Sequence, residues 1–268
     1  MSKTILSSIK NPLIKEIRKL QRSKERHKQN LFLLEGTNTI ATAERLDYPL
    51  YIVLSTQKWQ ECHQQLWQKI SLKAQRVELV SPEVLSAIAT TVNPDGVIAT
   101  AIRQPAKTPE ISTTKLALAI ERLQDPGNLG TIIRTAVATG VDGLWLSRDS
   151  VDFDNPKVIR ASVGEWFRLA IAVTDNLAQI VQEHKKNQIQ VIATVPTASK
   201  TYWELDFQRP SLILLGNEGA GLSDELIALA DEQVTIPVVN EVESLNVAIA
   251  NSLLLYEAKR QKTLTIEH

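Results

Sequence analysis

The chain contains one cysteine, Cys62, in 268 residues. A single cysteine excludes an internal disulfide and any metal cluster built on several thiolates. Histidine is scarce too: His27, His63, His184 and His268 are the only four. No pair has metal-ligand spacing and none falls in a glycine-rich or strand-end loop, so neither a metal site nor Ser-His-Asp catalysis is expected. Long hydrophobic runs are missing, and stretches such as LILLG and VIATVP fall far short of the ~18 residues that suggest a membrane span. The opening MSKTILSSIKNPLIKEIRK has no apolar core followed by a small-residue cleavage site. No secretory signal and no membrane partner are therefore expected, and a cytoplasmic location is. A Walker A run is absent. No strand leads into the G-x-G-x-x-G order with a ribose-reading acid downstream, which disfavours a dinucleotide-binding oxidoreductase.

What is present is a globular composition, 43% apolar and 22% charged. The formal net charge of zero hides an asymmetry. Residues 1–30 carry nine Lys/Arg against Glu16 and Glu25, a net of +7. Residues 1–112 are net +6 and residues 113–268 net −6. A basic front half suggests a polyanionic partner, although Lys15 to Lys28 read alone is equally the solvated face of a helix.

Asn11 as N-cap, Pro12 at the first helical position, and Leu13, Ile17 and Leu20 at helical spacing predict a helix over 11–29. Strand-like runs at 31–36, 51–55, 76–81 and 96–102 then alternate with helix-like stretches at 37–47, 57–71 and 82–90. This is a small α/β unit. RQPAKTPEISTTK (103–115), rich in Pro, Ser and Thr, marks the domain boundary. A second series follows, with strands at 116–121, 143–147, 167–173, 190–195, 211–216 and 233–237. Helices are expected at 129–140, 155–164, 176–186, 223–230 and 245–262. Continuously apolar strands separated by helices imply a mostly parallel sheet covered on both faces. The fold class is α/β, with domains at 1–105 and 113–268.

Three loops carry the chemistry. LILLGNEGAGLS (212–223) is a buried strand emptying into a loop with Gly216, Gly219 and Gly221. Alone, it could be a tight turn. IPVVNEVESLNVAIANSLLLYE (236–257) is a strand end, a polar loop and an apolar helix, in which Ser244 and Asn246 suit N-capping. In ERLQDPGNLGTIIRTAVATG (121–140), Asn128 sits where it can cap the next helix, Gly130 permits close approach of another backbone, and Arg134 lies in the second helical turn.

The joint pattern N-x-G-x-x-x-R, LGNEGAGLS and IP…ESLNVAIA…LLLYE resembles the SpoU (TrmH-like) family of RNA ribose 2′-O-methyltransferases in the SPOUT superfamily. IRASVGEWFRLAI (159–171) matches through Arg160, Ser162 and Gly164, and the front region resembles the small RNA substrate-binding domain of rRNA-modifying members. The resemblance implies an open α/β sheet with a deep trefoil knot, S-adenosylmethionine as cofactor, RNA (ribosomal over transfer) as substrate, and a homodimer. It implies a cofactor cradle from Thr194, Leu215, Gly216, Asn217, Gly221, Ile236 and Leu245. Arg134 and Asn128 would act on the ribose, with Glu218, Ser244 and Asn246 holding the loops in register. Because an arginine side chain stays protonated to high pH, Arg134 is read as an orienter and electrostatic stabiliser. Lys15, Arg18, Lys19, Arg22 and Arg160 are the RNA-binding candidates. Two positions depart from the family pattern: Asn240 where a glycine is common, and Ala248 where a small hydroxyl residue is common. Asparagine tolerates positive φ, so the turn at Asn240 is expected to survive. The rival readings are a tRNA ribose methyltransferase, a base-nitrogen methyltransferase and a non-catalytic RNA-binding protein on this fold.

Overall fold

Asn11 and Pro12 start the first helix as the capping rules require, the Asn11 side chain accepting the Leu13 N–H at 2.9 Å. The computed structural model describes residues 5–104 and 107–264. Pro105 and Ala106 of the expected linker, and the ends of both sequence-drawn domains at residues 1–4 and 265–268, lie outside the described residues. The chain divides into two compact units, Met1–Pro105 with Asp152–Phe167, and Ala106–Val151 with Arg168–His268.

The first unit contains helices α1 (Pro12–Lys19), α2 (Ser23–Gln29), α3 (Thr37–Arg45), α4 (Gln57–Cys62), α5 (Gln64–Lys73) and α6 (Pro82–Ile88). Its strands are β1 (Leu31–Glu35), β2 (Leu50–Ser55), β3 (Arg76–Leu79) and β4 (Val97–Ile102), in sheet order β1-β4-β2-β3. The expected helix 11–29 is two helices, and Arg26 supplies the reason. Its side chain is 1% exposed, and its guanidinium donates to the Leu20 and Gln21 carbonyls at the break. It also pairs with Asp152 (2.8 Å) and Asp154 (2.9 Å). One of the nine basic residues of the front segment is thus an internal ion-pair centre and no part of a surface patch. A buried guanidinium is tolerated only when its donors are satisfied, and here carboxylates and free helix carbonyls satisfy them. The expected helix 57–71 is likewise broken, at His63, whose φ of −125° and ψ of 42° lie off the helical region.

Asp152 and Asp154 also explain why the first unit is discontinuous in sequence. Arg103 joins Arg26 on Asp154. Helix α7 of the second unit precedes this segment in the chain and spans Pro126–Thr139; α8 (Pro156–Ala161) then packs on β1. Ile159 joins the core around Phe32 and Leu34, and the Trp166 ring lies 5.2 Å from that of Phe32. The contiguous boundary drawn from composition does not see this insertion, because its partners lie far away along the chain.

The second unit is a seven-stranded parallel sheet in the order β7-β6-β5-β10-β8-β11-β9. The strands are β5 (Leu116–Ile120), β6 (Gly143–Ser147), β7 (Ala170–Thr174), β8 (Gln190–Thr194), β9 (Lys200–Thr201), β10 (Ser211–Leu215) and β11 (Glu232–Thr235). Helices α9 (Leu177–Lys186), α10 (Asp224–Leu229) and α11 (Val247–Leu264) complete it with α7. Strands β5 and β10 are buried along their whole length, the signature of a sheet covered on both faces. Two-residue β9, too short for any periodicity, was not expected from sequence. No helix among the described residues is long and apolar enough to cross a membrane. From β5 the chain adds strands in one direction through β6 and β7, and from β10 the sheet extends the other way. The crevice at the carboxyl ends of strands on either side of such a reversal is where open parallel sheets place ligands.

His184 of α9 is fully buried, its ring edge-on to Trp145 with centroids 4.7 Å apart. Its Nδ1 faces the Ile180 carbonyl at 2.7 Å, and Nε2 has no partner among the described residues. Burial pushes its pKa down, and the Ile180 carbonyl opposes this only in part. A depressed folded-state pKa means that the unfolded chain binds the proton first. Stability is therefore full above the ordinary histidine range (~6.5) and falls as pH drops below it toward the folded value. Thermal melting from about pH 7.5 down to about pH 5, roughly one unit above to 1.5 units below the ordinary histidine value, should show this loss, and His184→Leu should flatten the slope.

Candidate active site

Asp125, not Asn128, caps α7: its side chain accepts the Asn128 N–H at 2.8 Å, and Pro126 occupies the first helical position. The correction changes what Asn128 can do. Placed inside the first turn, its side-chain amide is released to reach two other loops. Its Nδ2 donates to Glu218 Oε1 (3.2 Å), and its Oδ1 accepts from Asn246 Nδ2 (2.9 Å). Asn246 in turn caps α11, its Oδ1 accepting the Ala248 N–H at 2.9 Å and the Ile249 N–H at 3.4 Å. Capping and register-keeping, both expected of Asn246, are one arrangement.

Glu218 is the centre of this chain of bonds. Its carboxylate accepts the Asp125 N–H (3.0 Å) and the Gln124 N–H (3.2 Å) as well as the Asn128 amide. Burial pulls its pKa up, but the N–H donors of Asp125, Asn128 and Gln124 outweigh burial and leave it below the usual glutamate value. The loop after β10 is thereby tied to the N-terminus of α7 and, through Asn128, to the start of α11.

Asn217 shapes the glycine loop itself. Its Oδ1 accepts the N–H groups of Gly219 and Ala220, both at 2.9 Å, and it exchanges two backbone bonds of 3.0 Å with Gly221. Gly221 has φ +67°. A Cβ on Gly216 would lie 2.1 Å from the Gly221 carbonyl carbon and 2.3 Å from the Leu222 nitrogen, so only glycine fits. Asn217 Nδ2 donates to the Arg122 carbonyl at 2.7 Å. Arg122 has φ +53°, which turns that carbonyl toward Asn217. Neither Arg122 nor Gln124 is legible from sequence, since positive φ at a non-glycine residue leaves no compositional trace. The role of Asp125 does carry a signal, an acidic residue directly before Pro126.

A cavity of about 310 Å3 opens between these loops. Thr194, Leu215, Gly216, Asn217, Gly221, Ile236 and Leu245 all line it, as do Glu218, Ser244 and Asn246. The Thr194 hydroxyl donates to the Leu214 carbonyl at 3.0 Å. Asn240 has φ +57° and Glu241 φ +58°, so the turn adopts the left-handed conformation at two successive non-glycine residues.

Arg134 does not line this cavity. Asn128 and Thr135, seven residues apart, share the face of α7 that meets α11, where Thr135 Oγ1 and Ser252 Oγ are 3.4 Å apart. Arg134 stands exposed on the flank of that seam, without a hydrogen bond to any described residue. Arg134 is the ninth residue of α7, in its third turn and not its second, while Glu218 and Asn246, both bonded to Asn128, line the cavity. Of the RNA-binding candidates, Lys15, Arg18, Lys19 and Arg22 are exposed in and just after α1, and Lys19 pairs with Glu16 at 2.7 Å. Arg160 belongs to the first unit, paired with Glu35 at 2.9 Å and donating to the Thr90 hydroxyl at 2.7 Å.

Residues 115–256, more than half of the chain, match the SpoU rRNA Methylase family. The chain belongs to that family. Residues 11–99 match the MRM3-like substrate binding domain. Among relatives of this SpoU-family chain, an uncharacterised tRNA/rRNA methyltransferase of Synechocystis sp. is 44% identical, over 96% of this chain and 94% of the relative. The 23S rRNA (guanosine(2553)-2′-O)-methyltransferase RlmP of Bacillus subtilis is 31% identical, over 95% of this chain and 98% of the relative. The crystal structure of an AdoMet-bound rRNA methyltransferase from Sinorhizobium meliloti superposes with a TM-score of 0.81 at 30% identity, covering 96% of this chain and 97% of that one.

Proposed function

We propose that this chain transfers a methyl group from S-adenosylmethionine to a ribose 2′-hydroxyl of large-subunit ribosomal RNA. The observation that carries the reading is the Glu218–Asn128–Asn246 chain of hydrogen bonds, which ties the start of α7 to the two loops that line the cavity. The relatives named above, one acting on 23S rRNA at a 2′-hydroxyl and one holding AdoMet, point the same way.

The residues present fit the cofactor. Gly216 packs so closely on the Gly221 main chain that no Cβ fits, and this contact sets the shape of the loop at the cavity wall. Gly216, Asn217, Gly219 and Gly221 line a cavity whose apolar side is formed by Ile236, Leu245 and Val195. Leu215, Asn217, Gly221 and Thr194 would hold the polar ends of the molecule, and Ile236 and Leu245 its adenine ring. When bound, the cofactor supplies an electrophilic methyl group on a sulfonium. The protein's part is to orient the hydroxyl oxygen for in-line attack, to exclude water and to offset the negative charge that develops as the hydroxyl proton departs. Arg134 does the last of these and positions the RNA backbone. Asn128 contacts the ribose, and Ser244, exposed at the cavity rim, assists. Glu218 acts through Asn128 and the 124–125 backbone, so it is a positioning residue.

The same reading assigns a trefoil knot to the second unit, a cytoplasmic location and a homodimer. Ile249, Leu253 and Tyr256 of α11, together with Trp203, are exposed apolar side chains that a second copy would cover. The 1–105 region with its exposed Lys15, Arg18, Lys19 and Arg22 is the RNA-holding part. The experiment is direct: purified protein, labelled S-adenosylmethionine and unmodified ribosomal RNA, with the modified position mapped by its resistance to alkaline cleavage. Labelled RNA with a 2′-O-methyl mark is expected. Absence of cofactor binding would leave a non-catalytic RNA-binding protein, and label on a base nitrogen would overturn the ribose assignment.

A further inference from the structure

Within the first unit lies a second cavity, of about 270 Å3, that the chemistry above does not use. It is framed by the residues that follow β1, by the 89–98 segment before and in β4, and by Arg160 and Val163 of the inserted segment. Arg160 falls inside the stretch matched to the methylase family, yet folds with the first unit. Its Nη1 donates to Glu35 and Thr90, which fixes the guanidinium plane, while Nε and Nη2 have no partner among the described residues. Glu35 is only 4% exposed, so this anchor is a buried one.

Two further groups lining the cavity are uncommitted. The Thr91 hydroxyl is buried and has no hydrogen-bond partner among the described residues. Asp95 spends Oδ2 on the Thr37 N–H at 2.7 Å, and its Oδ1 has no such partner. Pro94 and Val163 add apolar wall. A buried polar atom without a partner is costly, and a native structure that keeps one usually reserves it for a ligand or water. The set offers two-nitrogen guanidinium donation, a hydroxyl and a carboxylate oxygen. A bare phosphate would meet the Asp95 carboxyl, and no described cluster of three metal-ligating side chains exists to take a cation. A flat heterocycle with acceptors on one edge and N–H donors on another matches. Guanine does so best: arginine pairs with its O6 and N7, and a carboxylate accepts its N–H groups. Single-stranded RNA is read through such splayed-out bases.

We infer that this cavity, completed by Arg160, binds one unpaired guanine base of the RNA substrate; the inference rests on the RNA methyltransferase reading. The basic helix α1 then holds phosphate without regard to sequence, and the cavity supplies the choice of nucleotide.

The test measures binding of the full-length protein to labelled single-stranded heptamers, UUUGUUU, UUUAUUU and UUUUUUU, by fluorescence anisotropy. The wild type should bind the guanine heptamer about fivefold or more tightly than the other two, the scale of one or two buried hydrogen bonds. Thr91→Val and Arg160→Gln should erase that preference. Thr91→Val removes only an unpartnered hydroxyl, so its melting temperature should not fall, which separates recognition from folding. Neutralising Lys15 and Arg18 should instead weaken all three heptamers alike and reduce the salt dependence. Equal wild-type affinity for the three heptamers, or a preference that survives in both Thr91→Val and Arg160→Gln, would overturn the inference. Cofactor binding measured on the same wild-type protein tests the methyltransferase reading separately, so the two can fail independently.

Discussion

Arg134→Ala should lower the rate of methyl transfer to RNA by about a hundred- to a thousandfold, while S-adenosylmethionine binds as before. The magnitude is that of removing one preorganised group facing developing negative charge. The split between binding and chemistry follows from position. Arg134 is exposed on the flank of the α7–α11 seam and does not line the 310 Å3 cavity, so the cofactor loses no contact. Folding should be unaffected, because the side chain makes no hydrogen bond or ion pair with a described residue. Arg134→Lys should recover only part of the rate, since a lysine brings a point charge without the planar fork that grips a phosphate or hydroxyl from two sides. Single-turnover transfer measured beside equilibrium binding of labelled cofactor checks both halves. A mutant that methylates at the wild-type rate would remove Arg134 from the reaction.

Gly216→Val should act in the opposite sense, abolishing cofactor binding and weakening the fold. The first added carbon alone would sit 2.1 Å from the Gly221 carbonyl carbon, a main-chain atom with no rotamer to yield. Relief requires the 217–221 loop to move, and that loop is fastened by Asn217 to Arg122 and by Glu218 to Asp125 and Asn128. The overlap should cost about 1–3 kcal/mol or more. Isothermal titration with S-adenosylmethionine and a denaturant melt give the two readouts. Wild-type affinity in the mutant would show that the 216–221 loop is not the cradle. Gly219→Ala is the control in the same loop, because a Cβ there would meet only the Asn217 Oδ1, at an ordinary 3.7 Å.

Much of the second unit was legible in sequence because its determinants are local. LALAI and SLILL read as strands buried on both faces and are β5 and β10. Gly216, Gly219 and Gly221 directly after one of them announced a loop that exposes backbone, and the residues named as cofactor-binding all line one cavity. Misreadings arose wherever a side chain's partner is remote. Arg26 was counted with the basic surface, yet Asp152 and Asp154 draw it into the interior and break the first helix. The sequence around Asn128 suits a helix cap, a local role; with Asp125 in that place, Asn128 is free to join Glu218 and Asn246. Arg122 at φ +53° had no residue-type signal at all.

By itself the sequence determined the class of fold, the strand and helix alternation, and the three loops that resemble the SpoU family. Hydrophobic period, turn residues and motif spacing are properties of neighbouring positions, and the chain order records them. The tertiary structure alone decided which loops are joined, that residues 152–167 fold with the first unit, and that Arg160 ends beside Glu35 and a small cavity. Those outcomes depend on pairing charges and amides across 90 or more residues, from the buried Arg26–Asp154 pair to the exposed Asn128–Glu218 bond. The buried pairs are chosen by the cost of leaving a partner unmet in the folded interior, and no short window of sequence contains both members of any of these pairs.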